Sequence, residues 1–201
     1  MFVVSPLQHA RIFCKVESTR VRILQLYLIA VFSIVAASSE LDAIGSDQIH
    51  ILNLVDVDGN KLSTSDSYRT VLILTPTSDV NKARLVGDRI PEYCLGNPAY
   101  RMITVITFKK NPPRFVRTWL KAAIRRRLDA EAKRLRPRYL ARKLLQDPRK
   151  DVHAVADFSG QIRATLGKTA ETFSVLVFSS NGELLREWND EPNASALVAA
   201  L

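Results

Sequence analysis

The sequence predicts an α/β domain with a mixed central sheet, on three observations. Residues 70–74 (TVLIL) and 101–108 (RMITVITF) are near-continuous apolar, β-branched runs of the kind buried on both faces of a sheet. Helical spacings alternate with the strands, which argues parallel pairing through crossovers. Residues 172–178 and 183–188 then flank Ser180-Asn181-Gly182, a hairpin signal that adds antiparallel strands at the end.

The chain opens with a separate segment. Residues 23–37 (ILQLYLIAVFSIVAA) are apolar apart from Gln25 and Ser33, and Arg20 and Arg22 precede them. As helix this run rises about 22 Å, short of the roughly 30 Å hydrocarbon core. Ala36-Ala37-Ser38-Ser39 follow at once, so residues 1–39 read as a secretory signal cleaved near Ala37 or Ser39, or as an uncleaved N-terminal anchor. A buried core helix is the third reading, disfavoured because the run lacks an amphipathic stripe. Both leading readings put residues 40–201 outside the cytoplasm, as a periplasmic, secreted or membrane-anchored domain. Cleavage would remove Cys14 and leave Cys94 as the only thiol.

In the domain, residues 51–55 (ILNLV) predict a strand ending in the turn Asp56-Val57-Asp58-Gly59-Asn60. This turn resembles half a calcium loop, but Lys61 and Ser67 stand where Gly and Glu are required. After strand 70–74 a helix starts, capped by Ser78 or Asp79, with Val80, Ala83, Val86 and Ile90 inward and Pro91 at its end. Residues 152–158 predict a third strand, a turn at Ser159-Gly160, and a short helix to Gly167. Pro192 opens a last helix, with Ala194, Leu197, Val198 and Leu201 on one face.

Charge is distributed unevenly. The 201 residues hold 29 Lys+Arg against 20 Asp+Glu, a formal +9. Residues 109–150 alone hold 16 basic and 3 acidic residues, a net +13. Val116, Leu120, Ile124 and Leu128 recur every four residues with Phe115 and Trp119 beside them, which predicts an amphipathic helix with a basic outer face. Pro137 is expected to break it and open a second helix carrying Tyr139, Leu140 and Leu144.

At this point the order of elements resembles the thioredoxin-like superfamily, in its exported redoxin and peroxiredoxin-like branch. The residues that carry the resemblance are strand 71–74 running into Thr75-Pro76-Thr77-Ser78-Asp79-Val80-Asn81, then Asp157, Gly160 and Gly167, and the hairpin around Asn181-Gly182. It spans residues 51–201 and implies a three-layer sandwich with a mixed central sheet, here enlarged by the basic insertion at 109–150. In that family the strand-to-helix turn carries Cys-x-x-Cys or a peroxidatic Cys, because a helix N-terminus lowers the thiol pKa. Here Ser78 and Asn81 occupy those positions, and Glu171 stands where the resemblance implies a proline. The resemblance therefore implies a degenerate site, with Cys94 a remote candidate thiol and otherwise a small buried hydrophobe.

Other chemistry finds little support. Two cysteines exclude a disulfide framework and Cys-based zinc modules, and His9, His50 and His153 are far apart, so no metal or cofactor is expected. Gly167-Lys168-Thr169 lacks the glycine five positions earlier that a phosphate loop needs. His153, inside a strand, reads as structural, and the Asn193-Ala194-Ser195 sequon as a helix start. Arg125, Arg126, Arg127, Lys133, Arg134, Arg138, Arg142 and Lys143 form the candidate binding surface, for an acidic protein partner or an anionic membrane or envelope surface. Consecutive arginines point about 100° apart on a helix, which favours diffuse attraction over a pocket. Export and the scarcity of stacking aromatics argue against nucleic acid. The expectation is a redox-inactive accessory module; the alternatives are a divergent redoxin using Cys94 and a structural envelope protein.

Overall fold

The structure, a computed structural model, describes residues 51–201. The expected signal or anchor, with Cys14, lies outside the described residues. Among those described, no helix is long and apolar enough to cross a membrane.

A small hairpin comes first, β1 (Asn53–Val55) against β2 (Lys61–Ser63). Its turn is organised by Asp56, whose carboxylate accepts the backbone N–H of Asp58 at 2.9 Å and of Asn60 at 2.8 Å, with the Asn60 side chain at 2.8 Å. His153 Nδ1 lies 3.2 Å from the same carboxylate, so its oxygens are occupied by N–H groups as in an Asx turn.

The main sheet has the order β5-β4-β3-β6-β7. At its centre is β3 (Arg69–Pro76), parallel to β4 (Tyr100–Thr107) and antiparallel to β6 (Ser174–Phe178). Strand β5 (Val152–Asp157) extends it in parallel beside β4, and β7 (Leu184–Trp188) in antiparallel beside β6. This is the α/β sandwich with a mixed central sheet that the thioredoxin-like resemblance implies.

Side-chain alternation sorts the core. Val71, Ile73, Val175 and Val177 face α1 (Val80–Arg89) and α4 (Ala194–Ala200), packing with Ala83, Val86 and Leu197. Leu72, Leu74, Ile103, Val105, Leu176 and Phe178 face the β1–β2 hairpin and the short helix α3 (Gln161–Thr165). The insertion is α2 (Arg114–Ala141), which lays Ile124, Leu128, Leu135 and Tyr139 against Ile106, Val152 and Ala154. Apolar spacings of four and three residues keep that stripe on the sheet for four turns.

The structure departs from the sequence expectation at Pro137, at Phe115 and Trp119, at the cap of α1 and on the buried face of α4. Pro137 does not end α2; it sits inside one continuous helix of 28 residues. Pro137 and Lys133 are both exposed, so water can reach the Lys133 carbonyl that has no N–H to accept. Pro137→Ala is expected to stabilise the fold by about 1–3 kcal/mol, read as a higher urea midpoint.

Phe115 and Trp119 do not join the core: they are 77% and 69% exposed. Trp119 stands nine residues before Leu128, about 180° round the helix, and the sheet receives only the stretch from Ile124 onward. Asp79 holds the N-cap position of α1, but its side chain makes no capping bond. Its φ of −112° and ψ of 19° depart from the extended geometry that lets a cap oxygen reach back. In α4 the buried face is Leu197, Ala200 and Leu201, while Ala194 and Val198 are exposed. Asn193 caps that helix, accepting from Ala196 N–H at 2.7 Å.

Candidate functional site

The turn leaving β3 is where the resemblance implies thiol chemistry. Thr77, Ser78 and Asn81 are exposed, and the Ser78 and Asn81 side chains make no hydrogen bond within the described residues. A serine hydroxyl there faces water with no base beside it. Glu171 is also exposed and is taken up by Lys109 at 2.5 Å. The hydrogen bond and charge of Lys109 hold its carboxyl below the ordinary range. These positions therefore supply a hydroxyl, an amide and a paired carboxylate, and no thiolate.

Cys94 is elsewhere. Pro91 ends α1, and Cys94 closes a separate 3₁₀ turn, Glu92–Cys94, correcting its expected place near the end of that helix. This turn leads to Tyr100, which pairs with Arg69 at the start of β3, whereas Ser78 follows the end of β3. The two sites are thus separated by the length of an eight-residue strand, about 23 Å. Cys94 is buried among Val86, Ile90 and the α4 side chains.

Burial pushes the Cys94 thiol up to about 11 from an ordinary 9.0, against the weaker pull of Arg142 and Arg69. The folded chain therefore holds this proton more tightly than the unfolded one. The contribution to stability is complete below about pH 9 and is lost as pH rises from there toward about 11. On a Cys14→Ser background, a disulfide reagent at pH 8 is expected to label Cys94 far more slowly in the native protein than in the urea-unfolded one.

The basic positions divide into two sets. On one flank of α2, Arg134 pairs with Asp88 and Glu131 at 2.5 Å, and Arg138 with Glu92 at 2.6 Å. Arg142 donates to the carbonyls of Glu92 and Leu95. On the other flank Arg125 pairs with Asp58 at 3.1 Å, and Arg149 with Asp58 and Asp129 at 2.5 and 2.8 Å. These side chains clasp α2 to the α1 end, the 3₁₀ turn and the first hairpin. Arg126, Arg127, Lys133 and Lys143 are exposed and form no ion pair within the described residues. Four of the eight candidates therefore hold the helix down and four face water.

Two features escape the sequence. One is the outward placement of Phe115 and Trp119. The other is a cleft of about 810 Å³ at the amino end of the parallel strands, lined by Tyr68, Cys94, Tyr100, Arg101, Tyr139 and His153 among others. Arg101 is fixed there by Asp66 at 3.3 Å, the Ser63 carbonyl and the Tyr68 ring. Its lining holds Lys61, Arg101 and Lys150 together with Asp66, Glu131 and Asp151, giving no net preference for either sign of ligand. Among the described residues no group of three or more His, Cys, Asp or Glu could hold a metal ion.

No protein-family model matches the chain, and no curated protein matches it. Solved structures do. The pneumococcal exposed lipoprotein thioredoxin of Streptococcus pneumoniae is 15% identical, with 75% of this chain and 96% of that chain covered, at a TM-score of 0.47. StoA from Bacillus subtilis is 12% identical over 77% and 98%, at 0.45. The peroxidoxin BcpB of Mycobacterium tuberculosis is 12% identical over 77% and 91%, at 0.45.

Proposed function

We propose that this chain is a redox-inactive accessory domain of thioredoxin-like architecture, held outside the cytoplasm, that docks electrostatically through α2. One observation carries the reading. The turn that would need a thiolate presents Ser78 and Asn81, while the thiol of the described residues is buried, held protonated, and at the other end of β3. Among the described residues no accessible thiol stands at a helix N-terminus to serve as the nucleophile that disulfide exchange requires. The docking half of the reading is supported by the free side chains of Arg126, Arg127, Lys133 and Lys143, with partners among anionic surfaces and acidic proteins. An exported setting is supported by the apolar run at residues 23–37 with Arg20 and Arg22 before it and small residues after it.

Disulfide reduction and peroxide turnover by the purified protein test the first half. Rates at the uncatalysed background are expected, with no change in Cys94→Ser. Robust turnover abolished by Cys94→Ser would overturn the proposal and favour the divergent-redoxin alternative. Retention on an immobilised polyanion, falling steeply as salt rises, tests the second half. Absent or salt-insensitive retention would reject it.

A further inference from the structure

We infer that the outward face of α2 is a membrane-interface helix that lies on anionic phospholipid, with Phe115 and Trp119 entering the headgroup layer. The inference rests on the docking reading above and narrows its partner to one chemistry.

Trp119, Arg126, Lys133 and Leu140 stand seven residues apart, so they follow one line along the helix, opposite the stripe that Leu128 and Leu135 bury. Phe115 extends the line by one turn. Ala122 and Ala130, on the same side, are too small to hold the helix off a flat surface. The line thus runs aromatic, aromatic, basic, basic, apolar, with Leu140 at 65% exposure. Nothing in the described residues covers it.

The acids of the insertion do not interrupt this face. Asp129 is paired with Arg149, Glu131 with Arg134, and Asp147 accepts the Arg149 backbone N–H. Beyond Ala37 and outside residues 109–150 the chain carries 9 basic and 16 acidic residues. Of those acids Asp58, Asp88, Glu92 and Glu171 are paired with cations of the insertion, so an anionic surface attracts α2 and meets no comparable cationic face elsewhere in the described residues, which orients the molecule helix-first. Charge alone would fit any polyanion. What selects lipid is the aromatic pair: Trp and Phe beside lysine and arginine suit the boundary between headgroup and acyl chain, where rings are buried and cations meet phosphate.

The test uses the full chain with Trp188→Phe, so that Trp119 is the only tryptophan. Vesicles of phosphatidylglycerol and phosphatidylcholine are expected to shift Trp119 emission to shorter wavelength, with quenching by lipid brominated on the acyl chain. Vesicles of phosphatidylcholine alone should leave it unchanged. Arg126→Gln with Lys133→Gln should raise the lipid concentration needed for half the shift about thirty-fold, at about tenfold per 1.4 kcal/mol. Both side chains are exposed, and circular dichroism checks that the fold is kept.

A Trp119 spectrum that stays that of water on anionic vesicles overturns the inference. So does a shift that the double variant leaves unchanged, since the apolar run at residues 23–37 could then carry the chain to lipid. Retention on immobilised polyglutamate separates the two levels. Retention lost in the double variant, with no Trp119 shift on vesicles, leaves the docking reading standing and removes the lipid. Absence of both removes both.

Discussion

Tyr139→Ala is expected to lower the unfolding free energy by about 3–5 kcal/mol, the cost of emptying a buried aromatic site. Tyr139 is 1% exposed and packs α2 against β5, and its hydroxyl donates to Asp151 Oδ2 at 2.5 Å. Burial and the facing carboxylate push the phenol's pKa upward, so it stays a donor. Tyr139→Phe keeps the ring and removes the donor, leaving Asp151 with the Gln146 amide at 2.9 Å. That variant should lose about 1–2 kcal/mol. Urea midpoints with matched m-values separate ring from hydroxyl. A Phe variant as unstable as the Ala variant would show that the hydroxyl, and not packing, holds α2.

Asp56→Ala is expected to cost about 2–4 kcal/mol, because one side chain serves four donors. Asp56 is 2% exposed; the Asp58 and Asn60 N–H groups can turn to water, but the His153 ring and the hairpin register lose their anchor. Burial alone would raise the Asp56 pKa. The hydrogen bonds from Asn60, His153 and Asp58 outweigh it, and the carboxyl lies below its ordinary value. A depressed folded pKa means stability that is complete above the unfolded value of about 3.9 and lost as pH falls through the folded one. Urea midpoints across the acid range should therefore decline for the wild type more steeply than for Asp56→Asn. Equal slopes would remove Asp56 from the account.

The strands were legible because their apolar runs have only one way to be buried. Residues 70–74 and 101–108 mark β3 and β4 to within a residue or two at most ends, and Asn181-Gly182 marks the final hairpin. The lack of a thiol in the turn after β3 was legible as well, since Ser78 and Asn81 are read directly. Face assignment on α2 was not. A spacing of four describes both 116-120-124-128 and 115-119, and only the reach of the sheet decides which residues it covers. The ion pairs of Arg125, Arg134 and Arg138 could not be read either, because Asp58, Asp88 and Glu92 are distant in sequence. Pro137 misled because proline's cost depends on whether water reaches the orphaned carbonyl.

The clasp on α2 has a consequence for how these molecules meet one another. By pairing its flank arginines with Asp58, Asp88 and Glu92, the domain consumes carboxylates that could have answered the ridge of Arg126, Arg127, Lys133 and Lys143 on another copy. Like ridges repel, so copies of the domain are held apart by the same charge that draws in an anionic surface. At low ionic strength the protein should therefore stay dispersed, and light scattering should rise only as salt screens the ridge.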